Sequence, residues 1–299
     1  MGTEFDGDFS KVPEACISHV LSLTSPRDSC RSAAVSASFR SAVDSDTVWE
    51  RFLPEDYEEI LDRAAETVEF GSKRDLYFRL CDPILVDGGK MSFHLEKSSG
   101  AKCYMISARE LGIVWGDTPH YWKWISAADT RLTLNLDARF AEVAYLLNVC
   151  WLEIHGKVET RILSPKTNYV AYLVFKLDPY SRGLSFPVQE SSVKFGAYES
   201  KHCVCVQPNR APRRRVRRMP RPFARRAVVW GPEGEGSSED LRESRVPSSR
   251  SDGWMEIEMG EFFNDGGDDG EVDFRFLEVK GGNWKSGLTV LGIEVRPKK

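Results

Sequence analysis

The sequence predicts an α+β protein. A small all-α unit at residues 8–52 is followed by a helical connector at 53–84 and an antiparallel β-sandwich at 85–297. Two observations predict this. Up to about residue 84, apolar residues recur at helical spacing, and the runs begin at capping residues or prolines. From Ile84 onward the pattern changes to short alternating segments separated by turn signals, with few convincing helices.

The helical unit opens at Val12-Pro13-Glu14, with proline in a first helical turn, where its missing N–H costs nothing, and an acid beside the helix N-terminus. Cys16, Ile17, Val20 and Leu21 form one apolar face. A second helix starts at Ser25-Pro26-Arg27-Asp28, with Ser25 as N-cap, Pro26 at the first helical position and Asp28 reaching back toward the unpaired amides. Ala33, Ala34, Val35, Phe39 and Ala42 continue the stripe, and Asp44-Ser45-Asp46 caps a last turn that delivers Val48 and Trp49. About forty residues cannot bury a self-sufficient core, so the unit must pack on the rest of the chain, on a partner, or on both. In the connector, Tyr57, Ile60, Leu61 and Ala64 mark a helix from Tyr57 to Val68, and Ser72-Lys73-Arg74-Asp75 caps another turn through Leu80.

Strand candidates follow at Ser92 to Glu96, Lys102 to Ala108, Trp122 to Ile125, Val149 to His155, Tyr169 to Leu177, Ser192 to Gly196 and His202 to Val206. Gly253 to Met259, Val272 to Lys280 and Leu288 to Arg296 complete the series. Phe140 to Leu147 fits either a short helix or a buried strand. Residues 208–252, rich in Arg, Pro, Gly, Ser and Glu, read as a disordered loop between two strands, because such a composition cannot offset its ordering entropy. Thr130 to Arg139 reads as a shorter insertion.

Composition narrows the function classes. A hydrophobic fraction of 41% over 299 residues permits a substantial core. No run approaches the roughly 18–20 apolar residues of a membrane span, and Met1 to Ser10 lacks the apolar segment of a signal peptide. Seven scattered cysteines fit a reducing compartment, and cytoplasm and nucleus are the expected locations. Cys203 and Cys205 would share a strand face beside His202, but a second ligand pair at zinc spacing is missing, so no metal or other cofactor is expected. Glu256 and Glu258 alternate with Ile257 and Met259 as on a solvated strand face. Their spacing does not establish the carboxylate pair of a glycosidase, and no Ser-His-Asp, phosphate-loop or metal motif is present, so no catalytic residue is assigned.

Between Arg210 and Arg226 lie nine arginines and no acid, although the net charge of the chain is −4. With only Phe223 and Trp230 as neighbouring aromatics, the run argues against nucleic-acid binding. It fits either a nuclear-import signal or a solvated loop.

In order, Val12-Pro13-Glu14, Ile17 to Leu21, Ser25-Pro26-Arg27-Asp28, Val35-Ser36, Phe39-Arg40 and Val48-Trp49 resemble an F-box. Thr24, Ser29 and Ser32 stand where that family usually has larger apolar side chains. The resemblance implies docking of a Skp-type adaptor, and through it a cullin ubiquitin ligase, by Pro13, Ile17, Leu21, Pro26 and Val35. The β region is similar to the phloem protein 2-like lectins of plants, whose domain is a β-sandwich of lectin-like, jelly-roll type. The similarity is carried by Ile106 to Leu111, Trp115 to Trp124, Val149 to Lys157, Tyr169 to Lys176, Arg250 to Asn264 and Asn283 to Gly287. It implies binding of N-acetylglucosamine oligomers or N-glycan cores, with Trp115 and Trp122 stacking on sugar and Glu271 and Glu278 accepting from hydroxyls. Trp151 and Trp254, within apolar strands, read as core. The two resemblances together imply a non-catalytic receptor that holds a glycoprotein or protein target for ubiquitination. The alternative is a lectin without a ligase role.

Overall fold

The computed structural model describes residues 12–126, 139–208, 244–266, 270–280 and 282–298. Six short helices come first: α1 (Glu14–Ser22), α2 (Pro26–Ser32), α3 (Ala37–Val43), α4 (Asp46–Phe52), α5 (Tyr57–Asp62) and α6 (Lys73–Leu80). The caps expected at Ser25 and Ser72 form, whereas Ser45 at the start of α4 makes no cap hydrogen bond and its hydroxyl bonds Thr47 instead. The Ser25 hydroxyl accepts the Asp28 amide at 3.1 Å and donates to the Asp28 carboxylate at 2.8 Å, and Ser72 accepts the Asp75 amide at 3.1 Å. Helix α5 stops at Asp62, short of the expected Val68. The following residues turn to pair with the first strand: the Ala65 amide donates to the Leu85 carbonyl at 2.9 Å, and Asp87 donates to Arg63 at 3.0 Å.

Trp49 is fully buried at the centre of these helices, its indole N–H donating to the Val43 carbonyl at 2.6 Å. Its ring lies 5.1 Å from both Tyr77 and Phe78 of α6. Ile17, Leu21, Ala42, Val43 and Val48 complete the cluster, which continues without a break through α6 into the sheets. Polar ties reinforce the junction. Arg63 binds Asp87 with two hydrogen bonds of 2.8 and 2.6 Å, Lys102 pairs with Asp56 at 2.9 Å, and the Tyr77 hydroxyl donates to the Lys97 carbonyl at 3.2 Å. The helical unit is therefore seated on the sandwich rather than strung from it.

The strands are β1 (Ile84–Val86), β2 (Met91–Leu95), β3 (Lys102–Ser107), β4 (Gly112–Ile113), β5 (Trp122–Ser126), β6 (Glu142–Leu146) and β7 (Leu152–Glu159). They continue with β8 (Thr167–Arg182), β9 (Gln189–Phe195), β10 (Tyr198–Val204), β11 (Ser248–Ser249), β12 (Met255–Asn264), β13 (Glu271–Glu278) and β14 (Ser286–Pro297). All ladders between them are antiparallel. One sheet runs β1-β2-β3-β14-β8-β12-β11, with β6 pairing β14 and β5, and the other runs β10-β9-β13-β7-β4. Their inner faces enclose Ile154, Phe274, Phe276, Val193, Leu173, Phe175 and Ile257, all buried. Gly260 sits at a bulge in β12 with φ +156°, and a Cβ there would lie 2.9 Å from Val193 of the facing sheet.

Open expectations are resolved and mistaken ones corrected. Phe140 to Leu147 contains a strand, because β6 finds partners on both sides. The loop expected at 208–252 is narrower. Arg245 exchanges hydrogen bonds with Cys203 and Cys205, and β11 pairs with β12, so the sheet has resumed by residue 245. The arginine run at 210–226 and most of the insertion read at Thr130 to Arg139 lie outside the described residues. Cys203 and Cys205 do not share a face: β10 ends at Val204, leaving Cys203 exposed and Cys205 buried. Glu256 is not on a solvated face either. It is buried and held by Arg250 at 2.7 Å and by Arg296 at 2.5 Å. Glu294 lies beside it, pairing with Arg250 at 2.5 Å and Arg296 at 3.0 Å, and these guanidinium groups hold its carboxyl below the usual range despite burial.

Candidate functional site

At the N-terminal end, the five expected adaptor contacts divide into two groups. Ile17, Leu21 and Pro26 are buried within the helical unit, whereas Pro13 and Val35 are exposed. The physical reason is the width of the stripe on α1. Ile17 and Leu21 point inward, while Cys16 and Val20, about 100° away, face solvent. The apolar surface is therefore Pro13, Val20, Leu23 and Val35, the last three 60–68% exposed. Large aliphatic side chains this exposed, on α1, at its C-terminal end and on the α2–α3 turn, make a surface suited to a partner. The small polar residues of this region have an internal use. The hydroxyls of Thr24 and Ser29 donate to the Leu21 carbonyl at 2.7 and 3.2 Å, satisfying the C-terminus of α1.

The opposite end of the sandwich carries a second surface. The β4–β5 loop is stiffened by turn hydrogen bonds from Gly116 to Ile113 (2.8 Å), Thr118 to Trp115 (2.9 Å) and Tyr121 to Thr118 (2.9 Å). Trp115 occupies it at φ +59°, a region that bulky residues rarely enter, with its ring half-exposed and 5.1 Å from Tyr121. The Val114 amide beside it donates to the Glu153 carbonyl at 3.1 Å, and the Glu153 carboxylate accepts the indole N–H of Trp151 at 2.8 Å. Trp151 is exposed rather than core, because it precedes β7 instead of lying within it. Trp284, 54% exposed, is carried by the β13–β14 loop.

Lys285 fastens these loops together. It is fully buried, its ammonium donates to the carbonyls of Cys150 and Asn283 at 2.8 Å each, and it pairs with the carboxylate of Glu278. Backbone hydrogen bonds between Val149 and Lys285 at 2.7 and 3.0 Å complete the joint. Three exposed indoles therefore stand on loops tied through residues 149–153, above a buried ion pair.

The four expected sugar contacts do not converge. Trp115 is half-exposed on the β4–β5 loop. Trp122 is in the core, 2% exposed. Glu278 is buried and engaged by Lys285, so its carboxylate acts on the loops from beneath. Glu271 is exposed and pairs with Lys157, whose ammonium this hydrogen bond holds above its ordinary pKa. It lies at the other end of β13 from Glu278, seven residues or about 23 Å along the strand. Trp151, Trp284 and Glu153 are the residues that the sequence reading missed at this end. The Gly-Gly-Asn run before Trp284 was the available signal, since aromatic residues in turn-rich loops are more often functional than core.

The two surfaces occupy opposite ends of the molecule. Strand β8 starts at Thr167, near Arg27 of α2, and ends at Arg182, paired with Ser286 close to Trp284. Twelve residues of the paired strand β14, Ser286 to Pro297, span that stretch, which puts the two ends about 40 Å apart.

Comparison with known proteins gives two family matches. The F-box domain family matches residues 9–51, and the phloem protein 2 family matches residues 101–297. The chain is 43% identical to F-box protein PP2-B10 of Arabidopsis thaliana over 295 residues, covering 97% of this chain and 94% of that one. It is 42% identical to F-box protein PP2-B15 of the same plant over 298 residues, covering 96% of each chain. It is 38% identical to F-box protein VBF, also of Arabidopsis thaliana, over 292 residues, covering 96% of this chain and 99% of that one.

Proposed function

Since the chain belongs to the F-box proteins that carry a phloem protein 2 domain, we propose that it is the substrate-recognition subunit of a Skp-cullin-F-box ubiquitin ligase. The observation that carries this reading is the placement of two exposed apolar surfaces at opposite ends of one continuous core. Pro13, Val20, Leu23 and Val35 hold the Skp-type adaptor, and through it the cullin. The loops of Trp115, Trp151 and Trp284 hold the target. Because the junction is packed and ion-paired, the target stands at a fixed distance from the adaptor, raising its effective concentration near the conjugating enzyme. Ubiquitin transfer takes place on another subunit, and this chain is non-catalytic.

The ligand at the aromatic end is a glycan containing N-acetylglucosamine, borne by a glycoprotein target. Indole faces accept the C–H faces of a sugar, and Glu153 and neighbouring backbone groups accept from its hydroxyls. The same end supports the second reading, a lectin acting without the ligase. Adaptor co-purification separates the two. The surface variant Val20→Asp/Leu23→Asp, which leaves Ile17 and Leu21 in the core, abolishes capture of the adaptor if the first reading holds. Undiminished capture removes it. For localisation we propose the cytoplasm and nucleus, with residues 210–226 as an import segment. A tagged chain lacking them then leaves the nucleus, and an unchanged nuclear signal refutes this.

A further inference from the structure

A cleft of about 810 Å³ opens where the F-box meets the sandwich, bounded by α2, the β2–β3 turn, the turn before β8 and the end of β14. Its charged residues are Arg27, Lys166, Lys298 and Glu96. Glu96 is already engaged: one of its carboxylate oxygens accepts the amide and hydroxyl hydrogens of both Ser98 and Ser99, at 2.7–3.1 Å. Lys298 pairs with Glu261. Arg27 and Lys166 are exposed, and their side chains have no ion pair among the described residues. Lys166 also stands at φ +51°, a left-handed position that favours glycine or asparagine, so a long cation is held at the cleft against the local backbone preference. Ser164 accepts the Lys102 amide at 3.0 Å through its hydroxyl oxygen, leaving its O–H to donate, and Asn168 lines the same wall.

A guanidinium fork, an ammonium, a hydroxyl and an amide around one polar cleft match a tetrahedral oxyanion carrying about two negative charges. The volume exceeds that of one phosphate and lies within the roughly 300–1,000 Å³ typical of small-ligand clefts. We propose that this cleft binds a phosphoryl group through Arg27, Lys166, Ser164 and Asn168, presented by a phosphorylated residue or as free phosphate. The site is independent of the adaptor and glycan readings, since it uses none of their residues.

The test is calorimetric titration of the full chain at low salt with inorganic phosphate, with a phosphoserine peptide and with its unphosphorylated counterpart. Both phosphoryl probes bind and the unphosphorylated peptide does not. Arg27→Ala and Lys166→Gly each weaken binding about tenfold, and raising the salt weakens it further. Lys166→Gly suits the left-handed turn, so its melting temperature does not fall, and Lys157→Ala on the outer sheet face leaves binding unchanged. A phosphopeptide tighter than phosphate by tenfold or more assigns the site to phosphorylated targets, and equal affinities assign it to free phosphate. Failure of both phosphoryl probes to bind, or full binding by the Arg27→Ala/Lys166→Gly double variant, overturns the proposal.

Discussion

The ring of Trp49 lies 5.1 Å from that of Tyr77, and this contact joins the last helix of the F-box to the helix that rests on the sandwich. Both side chains are fully buried, and the apolar cluster they belong to runs from Ile17 to Val295. Tyr77→Ala removes the ring at the joint and leaves a cavity, so stability falls by about 3–5 kcal/mol. Denaturant unfolding followed by both fluorescence and circular dichroism checks this. The wild type unfolds in one transition by both probes, and a loss below about 1 kcal/mol in the variant contradicts the shared core.

The ion pair between Lys285 and Glu278 makes a prediction with a built-in control. Lys285→Met leaves the buried Glu278 carboxylate without its cation, costing about 3–5 kcal/mol. Adding Glu278→Met recovers most of that loss if the pair is structural. A double-mutant cycle on unfolding free energies measures the coupling.

Stability depends on pH through His94. Burial, helped by the charges of Arg139, Arg250 and Arg296 and opposed by Glu294, lowers its pKa from 6.5 to about 4. The unfolded chain therefore takes up this proton first. The stability contribution is complete above pH 6.5, declines by at most about 3 kcal/mol as pH falls to 4, and then levels. The depressed pKa of Glu294 adds a loss at still lower pH, as its carboxylate is protonated. Melting temperatures across pH 7 to 4 show a flatter slope in His94→Gln than in the wild type.

The tryptophans separate into two groups by outcome. Trp151→Ala and Trp284→Ala change stability by less than about 0.5 kcal/mol, yet weaken binding of chitooligosaccharide at least tenfold. Trp122→Ala costs about 3–5 kcal/mol, since its ring fills the core. Glycan titration alongside thermal melts distinguishes them.

The helix caps, the change from helical to strand periodicity at Ile84 and most strand positions were legible because each depends on neighbours in sequence. The Ser25 and Ser72 caps formed as read. Orientation was less legible. Ile17 and Val20 belong to one apolar stripe in sequence, and only the packing of α3 and α4 against α1 decides which of them faces in. Glu278 and Glu256 look like surface acids until the distant Lys285, Arg250 and Arg296 are brought against them. Trp151 and Trp284 lie more than a hundred residues apart, and their common platform exists only through the Val149–Lys285 bridge.

The most direct test of adaptor docking is calorimetric titration of the purified full chain with a Skp-type adaptor, comparing the wild type with Val35→Asp. Val35 is 67% exposed on the turn between α2 and α3, so the charge leaves the fold intact. The wild type binds tightly one-to-one, and the variant loses at least a hundredfold in affinity with an unchanged melting temperature. Equal binding by both proteins would contradict docking through Val35.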